Sequence, residues 1–267
     1  MRVAHIVPTP LLPQYGTVSD YHLILAHAVL EDKTYAEFYR ERSEAGDFII
    51  LDNGAFEFGK AIDFGDVLAA ARTVKPTEIV MPDVLRDRNA TVRNFEAAYR
   101  LYDSNAPVSE DYFQHPQEQW MVVPQGEDYV DWMNCYDELR DRIDRIVLTD
   151  ESVTFGLFEE LADWDLGGRP GVLSMLHNTH RCAGTYHLLG FQERMLPEMR
   201  ELQEFSCVRG TDSGKGFSYG YYGMEVDTTL SGYPGRPKDY FNIKDDPFPN
   251  VVRHNLEVIN RAATGQE

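Results

Sequence analysis

The sequence is short of basic residues and of cysteine, and it has no long hydrophobic run. Its 267 residues include 25 Lys and Arg against 44 Asp and Glu, which gives a formal net charge of −19. This balance excludes a generally basic surface that binds phosphates broadly, although it leaves room for a local basic groove. The three cysteines lie far apart and form no Cys-x-x-Cys pair, so disulfide bonds do not provide the framework.

Signals for membranes and for export are absent as well. No stretch approaches the roughly eighteen apolar residues that a membrane-spanning helix needs. The first residues, Met1 to Pro8, lack the apolar stretch and small-residue cleavage site of a signal peptide. Hydrophobic residues make up 43% of the chain and aromatic residues 12%, which is typical of an ordered globular protein. We therefore expect an acidic, soluble, cytoplasmic protein that does not contact membranes.

Short β-branched runs alternate along the chain with segments of helical periodicity. The runs that predict strands are 3–7, 48–51, 78–81, 120–123, 145–148, 186–189 and 207–209. The segments that predict helices are 21–30, 67–74, 90–102, 129–142, 169–182, 194–205 and 250–262. Repeated alternation of this kind indicates a parallel sheet with covering helices.

At this length the leading prediction is a (β/α)8 TIM-like barrel, and a doubly wound open sheet is the second. The segment 213–249 is rich in Gly, Pro, Tyr and Asp, so we expect an irregular C-terminal quarter with an irregular or missing eighth strand. The chain has no repeat and no convincing linker. One domain over residues 1–267 is therefore expected.

Polar residues follow most of the predicted strands. Asp52 follows Leu51, Asp83 follows Pro82, Asp150 follows Thr149 and Asp212 follows Thr211, each shortly after an apolar run, while Gln125-Gly126 and Gly190 end two other runs. In parallel α/β folds the carboxyl ends of the strands emerge on one face, which holds the active site. Carboxylates gathered there would serve acid–base chemistry, covalent catalysis or metal binding.

Each of these residues also has a plainer interpretation. An Asp after a strand is often the N-cap of the next helix. The string Asp52-Asn53-Gly54 favours a turn, because Asn-Gly accepts positive φ. Gln125-Gly126 after a buried strand is most often the start of a loop. Four Asp at four strand ends are harder to explain by capping alone.

Five segments together resemble one family, the tRNA-guanine transglycosylases, and especially the phage-type relatives that place 7-deazaguanines in DNA. The segments follow the family's order over roughly residues 47 to 220: Leu51-Asp-Asn-Gly-Ala-Phe56, Pro82-Asp83, Val123-Pro-Gln-Gly126, His187-Leu-Leu-Gly190 and Val208-Arg-Gly-Thr-Asp-Ser213. The resemblance implies a (β/α)8 barrel that exchanges guanine for a 7-deazaguanine without breaking the phosphodiester backbone.

Two departures from the family bear on the substrate. The tRNA enzymes carry a structural zinc site of three clustered Cys and a His, and this chain has no such cluster, so no zinc subdomain is expected. It also has no room for an appended RNA-binding domain. Both departures point away from tRNA, either to a compact DNA-type member or to a relative with a changed substrate or lost activity.

The resemblance also implies roles for individual residues. Asp212 would be the nucleophile that attacks C1′ of a target deoxyguanosine, and Asp52 the general base. Asp83 would accept hydrogen bonds from the guanine edge. The remaining base-binding residues would be Phe56, which stacks on the base, Gln125 and the Gly190 backbone on the O6 side, and their motif neighbours Gly126 and Leu189.

Further expectations concern partners and cofactors. No cofactor and no metal are expected. The partners would be DNA and a free 7-deazaguanine base, a homodimer is suggested by family analogy, and a phage-encoded protein would work in the host cytoplasm. The acidic charge argues against nucleic acid, so a local groove would need the cations Lys60, Arg86, Arg88, Arg93, Arg209, Lys215, Arg236 and Lys238.

Other interpretations stay open. His177-x-x-His180-x-Cys182 with His187 offers zinc-type ligands at a spacing that matches no usual structural pattern. The aromatic segment 217–222 would either stack bases or pack as a loop. Besides the transglycosylase, a non-catalytic barrel that binds a nucleobase or a partner protein remains, as does a metal-dependent barrel hydrolase using Asp52, Asp83, Asp150 and Asp212.

Overall fold

The computed structural model describes residues 1–105, 119–145, 153–158, 167–182, 184–191, 194–227 and 235–266. Within these ranges eight strands belong to one sheet, in the order β1-β8-β7-β6-β5-β4-β3-β2. They are β1 (Arg2–His5), β2 (Tyr21–Leu25), β3 (Phe48–Asp52), β4 (Glu78–Val80), β5 (Gln119–Val122), β6 (Val153–Phe158), β7 (Thr185–Leu189) and β8 (Val208–Ser213). Every strand pairing that the structure describes is parallel.

Helices alternate with these strands. The described α-helices are α1 (Leu12–Tyr15), α2 (Ala26–Glu31), α3 (Lys33–Glu44), α4 (Ala55–Phe58), α5 (Phe64–Val74), α6 (Arg88–Asn105), α7 (Tyr129–Arg145), α8 (Gly168–Asn178), α9 (Met195–Leu202), α10 (Lys215–Tyr221) and α11 (Pro249–Thr264). Parallel strands in this order, with helices between them, confirm the predicted (β/α)8 TIM-like class. In the described ranges every helix is too short or too polar to cross a lipid bilayer.

Two strands were not predicted. The segment Tyr21–Leu25 is β2 and not the start of a helix, and the helix begins only at Ala26. All five β2 residues are buried, so a run that reads as one apolar helix face is a strand covered on both sides. Val153–Phe158 forms β6, whereas Arg145 of the predicted run 145–148 ends α7 and residues 146–148 lie outside the described part.

The expectation of an irregular or missing eighth strand after Ser213 is therefore wrong. The set of eight is completed by β2 and β6 earlier in the chain, and β8 itself contains Asp212. The aromatic segment 217–222 does not form a loop, because most of it is the buried helix α10, with Phe217 and Tyr219 nearly inaccessible.

Tertiary contacts divide the chain into two compact units. Unit 1 comprises residues 1–23, 158–182 and 186–267, and unit 2 comprises residues 24–157 and 183–185. The expectation of one domain over the whole chain stays a prediction.

Unit 2 shows why its elements form where they do. Ile49, Ile50 and Leu51 of β3 are fully buried, as expected of a parallel strand covered on both faces. Helix α5 begins at the N-cap Asp63, whose Oδ1 accepts a hydrogen bond from the Gly65 amide at 2.8 Å. It ends at Lys75, which has a φ of 52°.

Unit 1 contains the C-terminal helix pair. Gly216 and Gly220 lie one turn apart on α10, where a Cβ would come within 2.8 Å of Leu256 and 2.4 Å of Val252 on α11. The absence of these side chains lets α11 approach closely. Strand β1 is tied to the same helix, because His5 Nε2 lies 2.9 Å from Asn260 Oδ1.

Candidate functional site

The turn after β3 is built by the side chains of Asp52 and Asn53. Asp52 Oδ2 accepts a hydrogen bond from the Gly54 amide at 3.0 Å, and Asn53 Oδ1 accepts one from the Ala55 amide at 2.8 Å. Gly54 has a φ of 77°, which a residue with a Cβ adopts only at a cost. The turn interpretation of this string is confirmed, and the half-buried Asp52 carboxylate helps to hold the turn.

A buried carboxylate joins the ends of three neighbouring strands in unit 2. Asp83, just after β4, is 3% exposed. Its Oδ1 accepts a hydrogen bond from Asn53 Nδ2 at 2.8 Å, and its Oδ2 accepts one from Gln125 Nε2 at 2.7 Å. Asn53 Nδ2 also donates to the Met81 carbonyl. Residues that follow β3, β4 and β5 are therefore tied together through one side chain.

Burial dominates the electrostatics of Asp83. Loss of water raises the pKa of this carboxyl from 3.8 to about 6, while the hydrogen bonds from Asn53 and Gln125 oppose the rise. Asp83 therefore titrates close to neutral pH, which is typical of carboxyl groups used in catalysis or recognition.

The structure places the remaining predicted residues of unit 2 as follows. Phe56 on α4 is 61% exposed, so its ring is open to a ligand. Gln125 uses both ends of its amide, because its Oε1 accepts a hydrogen bond from the Arg86 amide at 3.1 Å. Gly126 allows a close approach of α7, since a Cβ there would lie 2.3 Å from the Trp132 amide nitrogen. Gln125 and Gly126 thus also have structural roles.

The second set of candidate residues lies in unit 1, around Asp212 near the end of β8. Asp212 Oδ1 accepts a hydrogen bond from the Gly190 amide at 3.1 Å, and it lies 3.3 Å from His187 Nε2. The side chain is 15% exposed. Among the residues that the structure describes, no hydrogen bond or ion pair reaches Oδ2. One carboxylate oxygen is held, and the other is open.

A buried ion pair fixes the segment that supplies the Gly190 amide. Arg169 of α8 is fully buried and donates two hydrogen bonds, at 2.7 and 2.9 Å, to the carboxylate of Glu198 on α9. Its Nη1 also donates to the carbonyls of Leu189 at 3.2 Å and Gly190 at 2.9 Å. Gly190 has a φ of 62°. The pair therefore orients the backbone that contacts Asp212.

Sequence reasoning missed four residues that support the two sets. Asn53 was interpreted as part of a turn and of a motif but was given no side-chain role, and Arg169 and Glu198 lie in helices with no motif around them. Tyr21 was placed in a helix, yet its hydroxyl lies 2.8 Å from His187 Nδ1. A charged residue at a fully buried position is a usable signal in a structure, but its burial is invisible in one sequence.

The segment considered as an alternative metal site does not assemble one in the described residues. The histidines and cysteine of the 177–187 segment form no group of three close ligands there. The described residues that do so are Glu225, Asp227 and His254, whose ligand atoms lie within 4.8 Å of one another near the surface. Asp150 of the predicted carboxylate set lies outside the described residues.

The cations of the predicted groove differ in what they contact. Arg88 pairs with Glu138 and Asp131, and Lys215 is buried at the start of α10. Arg209 donates to Tyr21, and Arg236 lies 5.2 Å from the centre of the Tyr240 ring. Lys60, Arg86, Arg93 and Lys238 form no ion pair with any other described residue.

Comparison with known proteins gives no independent identification. No model of a known protein family matches the chain, and a search of curated proteins finds no significant match. The assignment of a function therefore depends on the two sets of residues described above and on the motifs that contain them.

Proposed function

We propose that the protein is a base-exchange transglycosylase that replaces guanine in DNA with a 7-deazaguanine through a covalent aspartyl-glycosyl intermediate. The observation that carries the proposal is the state of Asp212. Its Oδ1 is held by the Gly190 amide, with His187 Nε2 beside it, while no described residue bonds its Oδ2. A carboxylate fixed through one oxygen and open at the other is suited to nucleophilic attack.

The proposed chemistry proceeds in two displacements. Asp212 Oδ2 forms a bond to C1′ as the bond between C1′ and guanine N9 breaks, and the leaving guanine takes up a proton. N9 of the incoming 7-deazaguanine then loses its proton and attacks C1′, and the carboxylate is released. A carboxylate nucleophile suits an oxocarbenium-like centre, as in retaining glycosidases.

Asp52 is the proposed general base of the exchange. It ends β3, and barrel enzymes place their catalytic residues at this end of the strands. Asp52 is half-buried, and its Oδ2 accepts a hydrogen bond from the Gly54 amide, which fixes the direction of its carboxylate. It would give a proton to the leaving guanine in the first displacement and take one from the incoming base in the second.

The base-binding roles are proposed for the exposed ring and the buried carboxyl of unit 2. Phe56 offers a stacking face because most of its ring is exposed. Asp83 would accept hydrogen bonds from the N1–H and the exocyclic amine of guanine. Each of its oxygens already accepts one amide hydrogen bond and keeps a second lone pair for the base.

Cations without ion-pair partners among the described residues support a nucleic-acid substrate. Lys60 forms an antiparallel bridge with Val84, which brings it close to the segment that contains Arg86. Both side chains are exposed in a strongly acidic chain. They would contact backbone phosphates while the target nucleotide is extruded from the duplex.

The test is a base-exchange assay with labelled guanine or a 7-deazaguanine, using DNA and, separately, tRNA. Asp212→Asn keeps an Oδ1 acceptor for the Gly190 amide but removes the nucleophile, so we expect exchange into DNA to be abolished. Asp52→Asn should lower it by roughly a hundredfold or more. The matched control is Asp66→Asn, an exposed position on α5, which should exchange like the wild type.

A covalent adduct provides a second readout. Without the incoming base, the wild type should form a DNA adduct that survives denaturing electrophoresis, and Asp212→Asn should form none. If the label enters tRNA and not DNA, the base-exchange reaction is supported but DNA is refuted as the substrate. A folded wild type that binds purine but neither exchanges nor forms an adduct would favour the non-catalytic barrel.

A further inference from the structure

A chain of hydrogen bonds extends from Asp212 to a guanidinium group within unit 1. Arg209 Nε donates to Tyr21 Oη at 3.2 Å, Tyr21 Oη lies 2.8 Å from His187 Nδ1, and His187 Nε2 lies 3.3 Å from Asp212 Oδ1. Tyr21 and His187 are both fully buried. We call this Arg209–Tyr21–His187–Asp212 chain the relay.

The chemistry of its two ends sets the direction of the relay. A guanidinium can only donate, and a carboxylate can only accept. Tyr21 Oη accepts from Arg209, so its own proton is available for His187 Nδ1. His187 Nε2 must carry a proton to bond Asp212. With Tyr21 donating to Nδ1, the Nε2–H tautomer satisfies all three hydrogen bonds of the relay.

The surroundings of Tyr21 keep its ring in place. A Cβ at Gly210 of β8 would lie 2.6 Å from the Tyr21 ring, so β8 must have a glycine there. The Arg2 and Arg209 guanidinium carbons lie 4.8 and 5.8 Å from the ring centre. The His187 ring lies 5.7 Å away, centre to centre. Tyr21 is thus a rigid partner for Nδ1.

We infer that His187 is a positioning residue for Asp212, kept as the Nε2–H tautomer by Tyr21 and Arg209. The role in catalysis rests on the proposed function, in which Asp212 is the nucleophile. His187 holds Oδ1 so that Oδ2 faces the sugar. As the bond between C1′ and Oδ2 breaks in the second displacement, negative charge returns to the carboxylate. The hydrogen bond from His187 Nε2–H to Asp212 Oδ1 then strengthens.

The kinetic test compares Tyr21→Phe with Tyr39→Phe, which removes a hydroxyl from another buried tyrosine. Tyr21→Phe leaves Nδ1 without its donor, and we expect kcat to fall roughly tenfold or more at unchanged KM. His187→Leu should fall further. His187→Gln, which can place an amide N–H near the Nε2 position, should recover part of the loss. Tyr39→Phe should retain wild-type kcat.

The tautomer is measured without reference to activity. Long-range proton–nitrogen NMR spectra of ¹⁵N-histidine-labelled full-length protein should show His187 protonated at Nε2 only, and Tyr21→Phe should introduce the Nδ1–H form. An Nδ1–H or doubly protonated His187 in the wild type would overturn the relay.

The two proposals fail in different ways. If Tyr21→Phe and His187→Leu both exchange bases at the wild-type rate, the positioning role of His187 is refuted and the proposed transglycosylase activity stands. Absence of exchange in the wild type would refute the proposed function, and with it the catalytic role of His187. The spectra would then decide whether the relay exists as a structural device.

Discussion

At the scale of single residues, Asp83 combines a structural and a chemical role. It accepts hydrogen bonds from Asn53 and Gln125 and so joins residues after three strands, yet burial raises its pKa to about 6. The sequence predicts Asp83 as a polar residue at a strand end. Its burial and its partners could not be predicted, because they depend on side chains 30 and 42 positions away.

The raised pKa of Asp83 predicts a specific dependence of stability on pH. The folded protein binds this proton more tightly than the unfolded chain, so the favourable contribution is complete below pH 4 and is lost as pH rises through about 6. The difference between 3.8 and about 6 corresponds to about 3 kcal/mol. The free energy of unfolding of Asp83→Asn, minus that of the wild type, should therefore increase by about this amount between acid and neutral pH.

Urea unfolding of both proteins at a series of pH values measures this difference. Asp66→Asn, which removes an exposed carboxylate, should follow the wild type at every pH. If the difference between Asp83→Asn and the wild type were constant with pH, the proposed ionisation of Asp83 would be incorrect.

At the scale of elements, the α10–α11 pair depends on two glycines. At Gly220 a Cβ would lie 2.4 Å from Val252 Cγ2 and 2.8 Å from Val252 Cα, so backbone would have to move. In an exposed helix Gly→Ala stabilises, by roughly 1 kcal/mol, because alanine has the higher helix propensity. Here close packing should reverse the sign of that effect.

We predict that Gly220→Ala lowers the free energy of unfolding by roughly 2 kcal/mol, since overpacking of a filled contact typically costs this much. Thermal or urea unfolding measures the change. Gly65→Ala is the comparison, because a Cβ there would meet one side-chain atom, the Oδ1 of the N-cap Asp63, and no backbone, so the expected cost is at most that of a lost cap, roughly 1 kcal/mol. A stabilised Gly220→Ala would show that α10 and α11 do not pack this closely.

Elements with a strong local pattern were predicted well, and short buried strands were not. The amphipathic segments near α5, α7 and α11 were recognised because helical periodicity is a local property. β2 and β6 were missed, since five or six residues carry too little periodicity to separate a buried strand from a helix face. Burial on both sides of a strand is decided by what packs on it.

At the scale of the whole molecule, the excess of acidic residues should make stability depend on salt. A formal net charge of −19 produces self-repulsion in the compact state, and salt screens it. Several described ion pairs, such as Lys33–Glu37, are largely exposed, so the loss of stability when salt screens them is small. Raising NaCl from about 20 to about 500 mM should increase the melting temperature by roughly 2 °C or more.

Calorimetry at neutral pH measures this increase. KCl should give the same increase as NaCl, because screening depends on ionic strength and not on the identity of the cation. Near the isoelectric point the effect should disappear. A melting temperature that falls with salt at neutral pH would mean that ion pairs outweigh repulsion in this fold.

The class of fold and the positions of the key carboxylates follow from the chain itself, because alternating apolar periodicity and polar residues at strand ends are local patterns. The state of each carboxylate depends on tertiary structure. Gly190 and His187 approach one oxygen of Asp212, and Asn53 and Gln125 enclose Asp83. Tyr21 joins His187 from a strand 166 positions away. Hydrogen bonds between distant strands are set by strand order and register, which no local pattern encodes.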